Sequence, residues 1–437
     1  MTWQMNTSKI FYFIIFLLGF SPIIAQDAFI SVENGKLIKD EKPYYFIGAN
    51  LWYGMWLGSP SETGNRERLI RELDRLQSIG VNNLRIMVAS EGPEDQYWRV
   101  QPAVQYDAGK YDEALLEGLD FLLLEMKKRN MTGVLVMNNF FQWSGGMAQY
   151  VSWATGENIP YPHLEGNTWD QFQQFSAKFY LNKKAQRLNN KFIKKMLKRR
   201  NSISGIKYKK DPVIMAWQLG NEPRGFGQTE AYLKWADKTA GMIQRRDKNH
   251  LVSLGGEGVT SNVDTGNDFE TVSQSKHLDY LTAHLWIENW SWYDPASPES
   301  YDSSVELSTK YLKDHIEIAR KVGKPIVFEE FGVSRDKRNY APEASTIYRD
   351  RYYQFFFDFL EQNAINQTNY MGCNFWSWAG EGYPVAPGEF WNKGDVLTGD
   401  PPHELQGWYS VYDKDTSTLE LIRSYNEKIE NLTNRKP

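Results

Sequence analysis

Short apolar runs alternate with longer amphipathic stretches along most of this chain, and that alternation limits the possible folds more than any other feature. The runs are YYFIGANLW from Tyr44, NNLRIMV from Asn82, TGVLVMNN from Thr132, VIMAWQLGNE from Val213, LVSLGGEG from Leu251, LDYLTAHLW from Leu278, PIVFEEFG from Pro325 and CNFWSWAG from Cys373. Between them lie stretches such as ERLIRELDRLQSIG, DEALLEGLDFLLLEMKKRN, LNNKFIKKMLKRR and TEAYLKWADKTAGMIQRRD, with apolar residues three and four apart and basic last turns. Strand and helix in this order are βα units on a parallel sheet. Eight of them predict an α/β fold, a (β/α)8 TIM barrel, and 437 residues leave room for long βα loops. Two insertions stand out, Phe140 to Tyr180 after the third strand and Glu381 to Asp415 after the eighth.

The first residues read as an address. Lys9 precedes IFYFIIFLLGF and then SPIIAQ, which predicts a signal peptide over residues 1–25, cut after Ala25, and a single catalytic domain over 26–437. The product is expected outside the cytoplasm, secreted or periplasmic, with no membrane attachment after cleavage and as a monomer. Cys373 is the only cysteine, so export does not depend on an internal disulfide. A net charge of −4 without a long basic run gives no reason to expect nucleic acid as a partner.

Active sites of such barrels sit at the C-terminal ends of the strands. Arg85, Asn138, Asn139, Asn221, Glu222, Glu257, His284, Glu329 and Glu330 all fall at predicted strand ends, where a buried strand would otherwise be apolar. Carboxylates on strands four and seven face each other across the barrel mouth, as glycoside hydrolysis requires: one gives a proton to the leaving oxygen, the other attacks the anomeric carbon or activates water. Strand alternation predicts that only one of Glu329 and Glu330 points inward. The same rule forbids Asn221 and Glu222 from both pointing inward on a regular strand, so a bulge or an abrupt strand end is expected there, and Pro223 suits one.

Aromatic residues make up 15% of the chain, more than its core needs, and Trp and Tyr offer the flat apolar faces on which pyranose rings stack. Trp143, Trp153, Trp169, Trp290, Trp292 and Trp391 are candidate walls of a cleft, or packing within their own loops. The six histidines show neither HxH nor HExxH, and GxSxG and a nucleotide-binding glycine loop are absent, which argues against metal, serine and nucleotide chemistry.

WQLGNEP and EEFG, together with LRIMV, MNNF, HLW and NFWSW at successive strand ends, resemble glycoside hydrolase family 5, a family of retaining (β/α)8 enzymes. NNFFQWSGGMAQY, GNEPRG, LGGEG, HLWIENWSWYDP and KPIVFEEFG resemble its β-mannanase branch. The resemblance implies an endo-1,4-β-mannanase that cleaves β-1,4-mannosidic bonds in mannan or manno-oligosaccharides with retention, by double displacement on two glutamates and with no cofactor. It also implies that Glu222 is the general acid/base, Glu330 the nucleophile and Asn221 the holder of the sugar 2-hydroxyl. Arg85 would lie beside Glu330, and Asn139, Arg224, Glu257 and His284 would be polar residues of the substrate site. Trp376 would be a stacking platform. Trp286 stands where many members carry a tyrosine bonded to the nucleophile. An exo-acting β-mannosidase, a β-1,4-glucanase and an inactive carbohydrate-binding barrel are the alternatives.

Overall fold

The computed structural model describes residues 28–96, 98–261 and 265–434; the predicted signal peptide lies outside them. Eight short strands form one parallel sheet: β1 (Phe46–Asn50), β2 (Asn83–Met87), β3 (Thr132–Val136), β4 (Ile214–Gln218), β5 (Leu251–Ser253), β6 (Leu281–Leu285), β7 (Ile326–Phe331) and β8 (Tyr370–Phe375). Their order is β5-β4-β3-β2-β1-β8-β7-β6. The two edge strands meet, because Asp279 N–H donates to Val252 O (2.8 Å) and His284 N–H to Glu257 O (3.1 Å) across the seam. The sheet therefore curls into a barrel, as the alternation predicts.

The surrounding helices are α1 (Arg66–Ser78), α2 (Glu113–Lys128), α3 (Lys183–Lys198), α4 (Thr229–Gln244), α5 (Phe269–Ser273), α6 (Tyr301–Val322), α7 (Ile347–Ile365) and α8 (Thr416–Asn434). Their starts are written in the sequence. Asn65, Asp112 and Asn182 cap α1, α2 and α3 by accepting from backbone N–H groups of the first turn, which satisfies donors that have no partner within the helix. Leu69, Leu73 and Leu76 of α1 and Leu115, Leu119, Leu122 and Met126 of α2 are buried against the sheet, the stripe that three- and four-residue spacing produces. A three-stranded antiparallel ribbon (Ser31–Glu33, Lys36–Lys39, Lys42–Pro43) precedes β1.

The strands are shorter than the apolar runs. β4 stops at Gln218 and β5 at Ser253, so the segments LGNE and LGGEG leave the sheet as irregular chain at the barrel mouth. Three loops enlarge that mouth. The β3 loop carries helices Gly146–Thr155 and Trp169–Ala177, and the β8 loop is largely irregular. A third, after β2, holds the hairpin Gln105–Asp107 and Lys110–Tyr111; it lacks a periodic apolar pattern, and the sequence did not single it out.

Candidate active site

Past β4 the backbone bonds alternately to its two neighbours. Leu219 and Gly220 N–H reach Ser253 O (3.0 Å) and Leu254 O (3.2 Å), Asn221 N–H turns to Asn138 O (2.8 Å), and Glu222 N–H returns to Gly255 O (2.8 Å). Glu222 sits at φ +48, a left-handed conformation that a non-glycine residue holds only where its surroundings impose it. This abrupt end, rather than a regular strand, brings both Asn221 and Glu222 to the cleft. Gly255 (φ +78) allows it, since a Cβ there would stand 1.9 Å from Gly220 O.

At the tip of β7 the alternation rule fails. Ala283 pairs with Phe328 but His284 pairs with Glu330, so the register shifts and Glu329 is an extra residue without a partner on β6. The resulting bulge rotates both carboxylates into the barrel, at different depths. Glu330 reaches the mouth. Glu329 lies beneath it, with Gln218 Nε2 2.7 and 2.9 Å from its two oxygens and the Tyr280 hydroxyl 3.3 Å away.

Arg85, on β2, is the hub of the floor. Its guanidinium contacts Glu330 directly and donates to Gln218 Oε1 (2.8 Å), Asn221 Oδ1 (2.8 Å) and Asn50 Oδ1 (3.2 Å), with Glu329 at 3.6 Å. His284 Nδ1 lies 2.7 Å from Glu222 Oε1 and 3.3 Å from Glu330 Oε2. Burial holds this imidazole well below its usual range, assisted by the positive charge of Arg85. A neutral ring carries one proton, and only Nδ1 has acceptors within reach, so Nδ1–H donates to the carboxylate pair. One oxygen each of Glu222 and Glu330 and one nitrogen of His284 lie within 4.8 Å of one another.

Burial raises the carboxyl pKa of Glu222, against the positive charges of Arg224 and Arg85 and a hydrogen bond from the Trp286 indole. The dominant cause is thus burial, not the neighbouring charge. Glu330 is raised well above the usual range by burial, opposed by Arg85 and reinforced by the charge of Glu222. Two carboxylates this close share a single negative charge, and the direct contact with Arg85 favours Glu330 as its holder.

Above the pair opens a cleft of about 430 Å³, whose walls include Asn221, Arg224, Glu257, Trp286 and Trp376 besides the two glutamates. Arg224 makes a forked ion pair with Glu257 (2.7 and 2.6 Å) and donates to Gln173 Oε1 (2.7 Å), which ties the β4, β5 and β3 loops together. Trp286 is directed at Glu222, whereas the resemblance set its counterpart's hydroxyl on the nucleophile. Arg85 and His284 lie under the carboxylates rather than on the wall. Asn139, expected to contact sugar, is wholly buried: it accepts from Phe141 N–H (3.0 Å) and Asn221 Nδ2 (3.3 Å) and so holds Asn221.

Of the six loop tryptophans, Trp143, Trp169 and Trp290 line the cleft. Trp153 packs on Tyr150, Trp292 on Trp290, and Trp391 is buried in its own loop with its indole donating to Asp395 O (3.2 Å). Sequence reasoning missed His403, Glu404, Trp408 and Tyr409, which reach the cleft from the β8 loop. The only signals were that loop's length and its adjacent aromatic pair. Glu404 has its carboxyl raised well above the usual range by burial and by the charges of Asp400, Glu330 and Glu222.

A parallel eight-stranded barrel with two glutamates facing each other at the tips of β4 and β7, in an aromatic cleft, is the architecture of a glycoside hydrolase. The chain belongs to glycoside hydrolase family 5: residues 27–434 match the model described as GH family 5 beta-mannosidase-like. A solved relative, the glycoside hydrolase family 5 mannosidase from Rhizomucor miehei, is 40% identical, superposes with a TM-score of 0.86 and is matched over 94% of this chain and 99% of that one. A variant of that enzyme is solved in complex with mannosyl-fructose. Mannan endo-1,4-beta-mannosidase 5 from Arabidopsis thaliana is 26% identical over 405 residues, 89% of this chain and 85% of that protein. The endo-beta-1,4-mannanase from Thermotoga petrophila shares the fold with a TM-score of 0.67 at 21% identity, over 90% of this chain and 78% of that one.

Proposed function

We propose that this protein is an exo-acting, retaining β-mannosidase that removes terminal mannose from β-1,4-linked manno-oligosaccharides and works outside the cytoplasm. The observation that carries the exo reading is the meeting of two loops over the cleft: the His403 ring stacks parallel to Trp143, with centroids 5.8 Å apart, and Glu404 stands beside the catalytic pair. A cleft blocked at one end accepts a chain terminus and refuses a chain interior. The high identity to a family 5 mannosidase favours the same reading. Endo-acting cleavage is the second reading, favoured by the Arabidopsis relative.

In the first step Glu330, held ionised by Arg85, attacks the anomeric carbon while Glu222 protonates the departing oxygen. The carboxylate separation, with oxygens within 4.8 Å, suits direct attack better than a water-mediated one. Esterification removes the charge of Glu330, so the pKa of Glu222 falls and it becomes the base that activates water in the second step. The neutral His284 donates to Glu222 and, with Glu330 Oε2 3.3 Å from the same nitrogen, spaces the two.

Mannohexaose labelled at its reducing end tests the proposal. Exo action gives mannose from the first time point, with the labelled chain shortening one unit at a time. A mixture of internal fragments at early times supports endo cleavage instead, and absence of cleavage defeats both readings.

A further inference from the structure

Glu329 is a buried titratable group next to the catalytic pair that this mechanism leaves unused. It is wholly inaccessible and does not reach the cleft. A carboxylate in such a place is expensive and stabilises a fold poorly, so packing alone does not account for it. Every side chain that reaches its oxygens is a donor: Gln218 Nε2, the Tyr280 hydroxyl and, at 3.6 Å, Arg85 Nε. Burial raises the carboxyl pKa of Glu329, and Arg85, Gln218 and Tyr280 all oppose that rise, so the donors around it favour the ionised form against desolvation. Gln218 links the two charged groups. Its amide nitrogen donates to Glu329 and to Ser253 Oγ (3.1 Å), which fixes the flip of the amide and turns Oε1 onto Arg85 Nε at 2.8 Å. Only the β7 bulge makes this possible, since a regular strand would turn Glu329 toward the helices.

We propose that Glu329 is a positioning residue for the proposed reaction: from beneath the catalytic pair it takes a share of the Arg85 charge and locks Gln218 against that arginine. Two carboxylates on one guanidinium, rather than one, then set how readily Glu330 ionises. The other groups facing Glu330 are Glu222 beyond β4, neutral His284 on β6 and Glu404 from the β8 loop. With Glu329 ionised, Arg85 stabilises the Glu330 anion less, and Glu330 keeps a higher pKa than it would have alone with Arg85.

The inference rests on the roles proposed for Glu222 and Glu330, so its test has a readout that needs no turnover. Carbon-13 NMR of protein labelled at glutamate carboxyls, with Glu330 assigned through Glu330→Gln, follows its titration in wild type and in Glu329→Gln. The variant should titrate at lower pH. On an aryl β-mannoside, its kcat/KM one pH unit below the wild-type acidic limb should rise about fivefold relative to its plateau. The basic limb should stay in place. A lower plateau with unmoved titration and unmoved limb means a merely structural role and overturns the inference. Should Glu329→Gln not fold, Glu329→Asp retracts the charge from Arg85 and must move the titration the same way by less; no movement is again fatal. A wild type inactive on the aryl mannoside defeats the proposed function, while the NMR titration still decides the role of Glu329.

Discussion

His403 lies parallel to Trp143, their planes within 2° and their ring centroids 5.8 Å apart, although they are carried by loops from opposite halves of the chain. This contact joins the β8 and β3 loops at the cleft wall, at the end that the proposed exo action requires to be closed. Replacing His403 and Glu404 together by glycine should open that end. Internal cleavage of mannohexaose, relative to terminal mannose release, should rise about tenfold, the scale of one lost pocket contact. Sizing of early products checks it, and an unchanged pattern means that the loop does not limit access.

The two glutamates should fail differently. Glu330→Ala should lose activity on every substrate by a factor of about 10⁴ or more, since no first step can occur. Glu222→Ala should form the mannosyl-enzyme from dinitrophenyl β-mannoside at near wild-type rate and then stall. Azide should restore turnover to Glu222→Ala with β-mannosyl azide as product, whereas azide acting on Glu330→Ala should give the inverted α-mannosyl azide. Stopped-flow release of dinitrophenol separates the two steps.

The Trp286 indole faces Glu222 and lowers its pKa. Glu222 must be protonated for the first step, so activity is lost as pH rises through that pKa. In Trp286→Phe the donor is gone, the pKa of Glu222 rises, and the basic limb of kcat/KM moves to higher pH. A pH profile on an aryl β-mannoside measures it; an unmoved limb means that the indole serves only as a wall.

The Arg224–Glu257 ion pair has a pH signature in stability. Glu257 is wholly buried, and burial raises its carboxyl pKa, with Arg224 opposing. In Arg224→Leu the opposition disappears and the folded pKa climbs further above the unfolded value. A raised folded pKa in an acid penalises the native state above the unfolded pKa and not below it. The variant should lose about 3 kcal/mol at neutral pH, the cost of an unpaired buried charge. That loss should shrink as pH falls below the ordinary glutamate value of 4.5. Thermal melts at both pH values decide it.

By itself the sequence determined the barrel and the floor of its site. Apolar runs of strand length, caps such as Asp112 and three- and four-residue stripes are local signals, and in a parallel barrel chemistry gathers at strand ends, so Arg85, Asn221, Glu222, His284 and Glu330 could be read off as a set. What those residues touch was not legible. Alternation predicted one inward glutamate on β7, but the register shift that turns in both arises between two strands and leaves no mark within either. The abrupt end at Glu222 was foreseen, but not the left-handed backbone that achieves it. Asn139 looked like a sugar ligand because its residue type and position fit; only packing revealed that its amide is used up on Asn221, Phe141 and Ser144. The tertiary structure alone decided the shape of the cleft. His403 and Glu404 follow no periodicity, and His403 meets Trp143 some 260 residues away in sequence only because the barrel brings the β8 and β3 loops to the same rim.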